Sequence, residues 1–271
     1  MSNSQRYWSI DDFDVGDVIG EGRFGKVFVA REKKSRFVCV LKIIRKKLLT
    51  KHNLEKQLIS EIGLHSSFNH PNILRLYGYF FDDERIMMIL EYAAHGTLSD
   101  LLKKHTKFDE PTAAKYFKQI LSAVEHIHSK EVLHRDLKPS NIMISLDNTL
   151  LLGDFGFAIK GNAPAGEIVG TLDYISPEIL NNKEYGRSAD VWALGSILFE
   201  LLTGKCPFES DDPKETVRKI QNAEFSFPDY ISPLARKLIS SILQIDPTSR
   251  PTAKDLLNDP WITFHTSLNN S

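Results

Sequence analysis

The 271-residue sequence predicts an α+β protein, a small β-rich lobe followed by a larger α-helical lobe with a cleft between them. Three observations carry this. The first third is dense in Val, Ile, Phe and Tyr, in short runs separated by glycines and charged turns. From about Gly96 the apolar residues fall instead at three- and four-residue steps. The most hydrophobic window, Ala189 to Gly204, is apolar nearly all round yet interrupted by Asp190, Ser196 and Glu200. It is too short for the roughly 20 apolar residues of a membrane span and reads as a helix buried in protein.

In chain order, the strand runs are "FDVGDVIGEG", "GKVFVARE", "FVCVLKII", "ILRLYGYFFDD" and "RIMMILEY", with one main helix between the third and fourth. The basic stretch "RKKLLTKHNLEK", Arg45 to Lys56, reads as a solvated loop leading into the first turn of that helix. Further on, Ala113, Phe117, Ile120, Leu121, Val124 and Ile127 share one helical face, entered through Asp109 as N-cap with Pro111 in the first turn. Two short apolar runs, "NIMIS" and "TLLLGDFG", interrupt the helices, and more helices are expected around Trp192, Val217, Leu238 and Leu256.

Composition narrows the function classes. A formal net charge of -1, from 34 basic and 35 acidic residues, gives no electrostatic reason for nucleic-acid or membrane binding. Cys39 and Cys206 lie far apart, and the opening "MSNSQRYW" lacks the apolar run of a secretion signal, so an intracellular, disulfide-free protein is expected.

Several constellations point to chemistry. "GEGRFGKV" sets Gly20, Gly22 and Gly25 between two strand runs, where a bare backbone lets phosphate oxygens approach. A glycine-rich hairpin without a ligand fits as well, whereas a dinucleotide fold would need a helix directly afterwards. Lys42 ends an apolar run, and Glu61 falls on the inward face of the following helix, three residues after Leu58. The two form either a structural ion pair or a phosphate-binding lysine oriented by a carboxylate. "HRDLKPSN", His134 to Asn141, is the most specific phrase, and Asp154 follows it in "DFG". Phosphoryl transfer needs a carboxylate to receive a hydroxyl proton, oxygen ligands for Mg²⁺, and cations against developing charge. Asp136, then Asn141 with Asp154, then Lys42 with Lys138 fit those roles in that order. His126 and His128 point to different helix faces, which argues against a metal site, and His65 reads as a packing residue.

These residues resemble the eukaryotic protein-kinase family from Phe13 to Ile262, with a bilobal kinase fold divided into an N-lobe of about 13–92 and a C-lobe of about 96–262. Short extensions, 1–12 and 263–271, flank a nearly bare catalytic domain, expected to be monomeric. "SPE", "DVW" and Arg250 in "DPTSRP" belong to the same resemblance, which implies a buried Glu178–Arg250 pair and support of the catalytic loop by Asp190. Lys138 and Thr171 are similar to serine/threonine rather than tyrosine kinases. Nucleotide binding is implied for Ile19, Gly20, Glu21, Gly22, Arg23, Phe24, Gly25, Lys26 and Val27 of the glycine loop, for Val40 and Lys42, for the gatekeeper Leu90 with hinge residues Glu91, Tyr92 and Ala93, and for Met143 and Asp154. Within the family, "HPNILRLYGYF", "KFDE", "GTLDY", "FSFPD" and "DPWI" are similar to Aurora kinases. That implies ATP and Mg²⁺ as cofactors, protein substrates, a mitotic role at spindle, centrosome or chromosomes, and an activating scaffold peptide on the N-lobe. A pseudokinase scaffold would have lost Lys42, Asp136 or Asp154, and a small-molecule kinase would not need the "GTLDYISPE" platform.

Three departures from the family pattern stand out. Val40 replaces the usual small alanine above the adenine, and Ser140 replaces a glutamate that reads an upstream arginine in substrates. Between Phe157 and Gly170 there is no Ser, Thr or Tyr, and Glu167 occupies the place of the activating phosphothreonine. Glu167 is expected either to pair with Arg135, with one charge where a phosphate carries about two, or to be an exposed loop residue in a segment ordered by a partner.

Overall fold

The structure is a computed structural model that describes residues 8–22 and 25–267. Two compact units make up the chain. The first runs up to Asn69 and takes in Leu74–Ala94; the second comprises His70–Ile73 and the chain from His95 onward.

In the first unit an antiparallel sheet is formed by β1 (Phe13–Gly22), β2 (Gly25–Glu32), β3 (Val38–Arg45), β4 (Leu76–Phe81) and β5 (Arg85–Leu90), in the order β1-β2-β3-β5-β4. Alternation along these strands sends Phe13, Ala30, Cys39, Leu41, Phe80, Met87 and Ile89 into one apolar cluster. The Phe13 and Phe80 rings stack there with centroids 5.6 Å apart. Residues of the opposite parity in β3, Val40 and Lys42, lie on the other face. Gly25 is fixed by β3: a Cβ at that position would sit 1.9 Å from the Ile43 carbonyl oxygen, so this glycine has a packing reason independent of any ligand.

The basic stretch Arg45 to Lys56 departs from expectation. In place of a solvated loop and a single helix there are two helices, α1 (Lys46–His52) and α2 (Glu55–Ser66). Leu49 anchors α1 by burial, and Asn53, in left-handed conformation at φ 56°, ends it and turns the chain into α2. The charge pattern of "RKKLLTKH" concealed a helix held by one apolar residue.

The second unit begins with α3 (Leu98–His105) and α4 (Glu110–Ser129). Asp109 caps α4, its carboxylate accepting from the Thr112 N–H at 3.0 Å, and the six predicted apolar residues of α4 are all buried. Short pairings follow, β6 (Val132–Leu133) with β9 (Ile159–Lys160) and β7 (Ile142–Ile144) with β8 (Leu150–Leu152). After α5 (Pro177–Leu180) comes α6 (Arg187–Thr203), buried on nearly every side. At roughly 1.5–3 kcal/mol for each large apolar side chain removed from water, the buried face of α6 contributes strongly to the hydrophobic support of this unit. The remaining helices are α7 (Pro213–Gln221), α8 (Pro233–Ile242), α9 (Ala253–Leu256) and α10 (Pro260–Ser267). Among the described residues no helix is long and apolar enough to cross a membrane.

Candidate active site

In the first unit, β3 presents Lys42 opposite Val27 and Met88, and α2 buries Glu61 beside Leu58, Ile62 and His65. Lys42 Nζ lies 2.8 Å from Glu61 Oε1. The lysine side chain keeps 29% of its exposure and the glutamate 10%, so the charge pair is largely desolvated while its cation still reaches solvent. Val40 is buried between Val29 and Leu90 in the sheet register. Gly20 pairs with Val27 and Glu21 with Lys26, while Ile19 and Tyr92 are exposed, and Glu91 accepts from the Arg75 N–H at 3.1 Å. Ala93 follows in the half-buried hinge stretch. Arg23 and Phe24, expected in the same loop, lie outside the described residues. His65 is a buried packing residue whose Nε2 meets the Leu74 carbonyl at 2.6 Å.

In the second unit the loop after β6 is held from below by α6. Asp190 is buried, and its carboxylate accepts from the His134 and Arg135 N–H groups and meets His128 Nε2, each at 2.9 Å. Burial works to raise its pKa, but these hydrogen bonds and the neighbouring histidines outweigh it and hold the carboxyl below its ordinary range. Arg135 is thereby kept at φ 69°, a conformation that non-glycine residues seldom adopt.

That loop delivers Asp136, 7% exposed, into a tight polar triangle. Lys138 Nζ is 2.7 Å from Asp136 Oδ2 and donates to Thr171 Oγ1 at 2.8 Å, and Thr171 donates to Asp136 Oδ1 at 3.0 Å. Asn141 spends its amide N–H groups on Asp136, reaching the backbone oxygen at 2.8 Å and Oδ2 at 3.0 Å. Its own Oδ1 is left for another partner. The Asn141 backbone oxygen accepts from Gly153 N–H at 2.9 Å, which ties Asn141 to the residue before Asp154. Asp154 is exposed at φ 56°, and among the described residues its carboxylate has a single long hydrogen bond, 3.4 Å from the Gly156 N–H. Among the described residues Asn141 Oδ1 and Asp154 Oδ2 accept no hydrogen bond, and amide and carboxylate oxygens on adjoining loops are the kind of donor a hard divalent cation takes. Met143 stands half-buried on β7, paired with Leu151.

Gly170, at φ 106°, packs so closely that a Cβ would come 2.8 Å from the Arg135 carbonyl oxygen. Just before it, Glu167 Oε2 lies 2.9 Å from Arg135 Nη1, and the glutamate side chain keeps 41% of its exposure. Tyr185, which no local sequence pattern singles out, has a hydroxyl that meets both Arg135 Nη1 at 3.3 Å and the Glu167 carbonyl at 3.2 Å. Its place in the chain carries no local signal, since it follows Arg135 by 50 residues and Glu167 by 18. His126 and His128 diverge as expected: His128 bonds Asp190, and His126 lies against His70. Cys39 and Cys206 are both free thiols, and burial pushes the Cys39 thiol up to about 11.

This arrangement agrees with a family match, in which the protein kinase domain covers residues 13–262. An Aurora kinase of Dictyostelium discoideum is 46% identical over 266 residues, covering 98% of this chain and 69% of the relative. The chain belongs to the Aurora group of protein kinases. Aurora kinase A-A of Xenopus laevis is 41% identical over 97% of this chain and 65% of its own length, and an Aurora kinase of Saccharomyces cerevisiae is 40% identical over 94% and 70%. This Aurora-type chain thus spans about two thirds of the length of the curated relatives it matches. As a member of the group it is a serine/threonine protein kinase, and its mixed α+β architecture is that of the family.

Proposed function

We propose that this chain transfers the γ-phosphoryl group of ATP to Ser and Thr hydroxyls of protein substrates in mitotic signalling, through Asp136, Lys138, Asn141, Asp154, Lys42 and Glu61. The observation that carries the assignment is the Asp136–Lys138–Thr171 triangle, tied through Asn141 to the strand end that bears Asp154.

Asp136 would accept the proton of the attacking hydroxyl, a role that requires a carboxylate fixed in direction. Lys138 and Asn141 fix it, and the Lys138 cation beside it also offsets charge that develops on the transferred group. Thr171 holds the substrate-facing segment in register with the loop through its hydrogen bonds to both residues. Asn141 Oδ1 and the Asp154 carboxylate would hold magnesium, and Lys42, oriented by Glu61, would hold phosphate oxygens. When bound, magnesium neutralises the phosphate oxygens and keeps the reacting group in line with its acceptor.

For regulation, Glu167 would serve as a fixed substitute for a phosphorylated residue. Arg135 Nε donates to the Phe157 carbonyl at 2.6 Å while its Nη1 meets Glu167, so one guanidinium joins both ends of the segment. A scaffold segment on the first unit is supported by exposed apolar side chains there, Ile59 on α2 and Tyr79 and Phe81 on β4.

The test is incorporation of labelled phosphate into a generic protein substrate, together with calorimetric uptake of nucleotide with and without magnesium. Asp136→Asn is expected to abolish incorporation while nucleotide uptake persists; equal incorporation by the two proteins would refute the assignment.

A further inference from the structure

Tyr185 lies just before α6, with 4% of its surface exposed. Its ring packs in a small apolar cluster with Ala163, Ile175, Ile179 and Ala189. Its backbone pairs in both directions with Ala163, N–H to carbonyl at 2.9 Å and 3.1 Å. The side chain therefore has little freedom, and its hydroxyl is aimed.

The target of that hydroxyl is a closed three-member ring. Arg135 Nη1 donates to the Tyr185 oxygen at 3.3 Å, the Tyr185 O–H donates to the Glu167 backbone carbonyl at 3.2 Å, and the Glu167 carboxylate returns to Arg135 Nη1 at 2.9 Å. Glu167 is the loosest member, since its side chain keeps 41% exposure against 6% for Arg135. An ion pair with one end in water is weakly held and loses side-chain entropy on forming. A fixed hydroxyl on the main chain of the same residue removes part of that cost, because the carboxylate then starts from a backbone already in place.

Resting on the reading of Glu167 given above, we propose that Tyr185 is a positioning residue for phosphoryl transfer: its hydroxyl grips the main chain at Glu167 so that the carboxylate meets Arg135 without covalent modification. Among the described residues the hydroxyl has no hydrogen bond to Asp136, Lys138 or Thr171, so its effect runs through the Arg135–Glu167 pair. Burial, foremost, raises the Tyr185 pKa, so the phenol stays protonated and able to donate.

Tyr185→Phe deletes this hydroxyl and leaves the packed ring. Peptide phosphorylation by the parent, Tyr185→Phe, Glu167→Gln and the double variant is compared, with hydrogen exchange of the 162–170 amides measured on the same four proteins. Tyr185→Phe is expected to lower kcat/KM about three- to tenfold, the scale of one hydrogen bond, and to speed exchange in that segment alone. In the Glu167→Gln background, where no carboxylate remains to be positioned, the same change is expected to leave the rate unaltered. A slowed Glu167→Gln beside a Tyr185→Phe protein with parental rate and exchange overturns this proposal alone. So does a Tyr185→Phe loss of equal size in both backgrounds, which marks a merely structural effect. Glu167→Gln at the parental rate overturns the reading of Glu167 and this proposal with it.

Discussion

Arg135 Nη1 and Glu167 Oε2 stand 2.9 Å apart, a nearly buried cation meeting a carboxylate that keeps 41% of its exposure. Phosphatase treatment should therefore leave the activity of this chain unchanged. Salt should not: raising ionic strength from roughly 0.05 to 0.5 M shortens the screening length to a few ångströms and is expected to cost the parent a few-fold in rate. Glu167→Gln should begin lower and respond less to salt. Parallel salt profiles for the two proteins would remove the pair from any role in activity.

Glu178 and Arg250 form the opposite kind of pair, bidentate at 2.7 and 2.8 Å with side-chain exposures of 3% and 0%. Arg250 also donates to the carbonyls of Gln244, Ser188 and Ile245 and lies over the Trp192 ring. Removing one partner of a buried pair costs about 3–5 kcal/mol because the other charge is stranded. Glu178→Ala is expected to lower the melting temperature by about 8–15 °C. Arg250→Lys should also destabilise, since an ammonium cannot reproduce the two-pronged contact. Calorimetric melting of both variants checks this, and a shift under about 2 °C would contradict it.

A residue is legible in the sequence when it breaks or carries a local pattern. Density in β-branched and aromatic residues located β1 and β2, helical periodicity located α4, and a window apolar nearly all round located α6. Lys42 and Glu61 were legible as an inward cation and an inward carboxylate, misfits in apolar surroundings that require a partner. Tyr185 was not legible. A tyrosine after a charged turn violates no local pattern, and its role arises only when Arg135 and Glu167 are folded against it. Helix α1 was hidden for a related reason: with Leu49 alone buried, its sequence is that of a solvated segment.

Ser196 offers a test of packing within α6. It is fully buried, and its hydroxyl has no hydrogen-bond partner among the described residues. Burying an unsatisfied hydroxyl costs roughly 1–3 kcal/mol, and alanine has the higher helix propensity. Ser196→Ala is therefore expected to raise the melting temperature by about 2–4 °C. Ser145→Ala serves as the contrast, because that hydroxyl exchanges hydrogen bonds with the Thr149 backbone at 2.9 and 3.0 Å. It should melt lower than the parent, and a Ser196→Ala protein that also melts lower would mean the hydroxyl is satisfied after all.

His70 and His126 give the pH dependence a definite sign. Their ring centroids are 4.9 Å apart. His70 Nδ1 accepts from the Asn72 N–H at 3.1 Å, so the proton of the neutral ring sits on Nε2, which meets Ser122 Oγ at 3.1 Å. Protonating Nδ1 would set two N–H groups against each other. Burial first, then the neighbouring His126 ring, lowers the His70 pKa from 6.5; burial first, then Lys130, lowers that of His126, with Glu125 opposing the shift at both. Because both folded values lie below the unfolded one, the unfolded chain takes up more protons as pH falls below 6.5. The contribution to stability is complete above that pH, declines as pH drops toward the lowered folded values, and is lost below them. Melting at about pH 8 and about pH 5.5, on either side of the free-histidine range, should show the parent losing more stability than His126→Phe, which keeps a ring against His70 without its charge. Equal losses in the two proteins would place the acid sensitivity elsewhere.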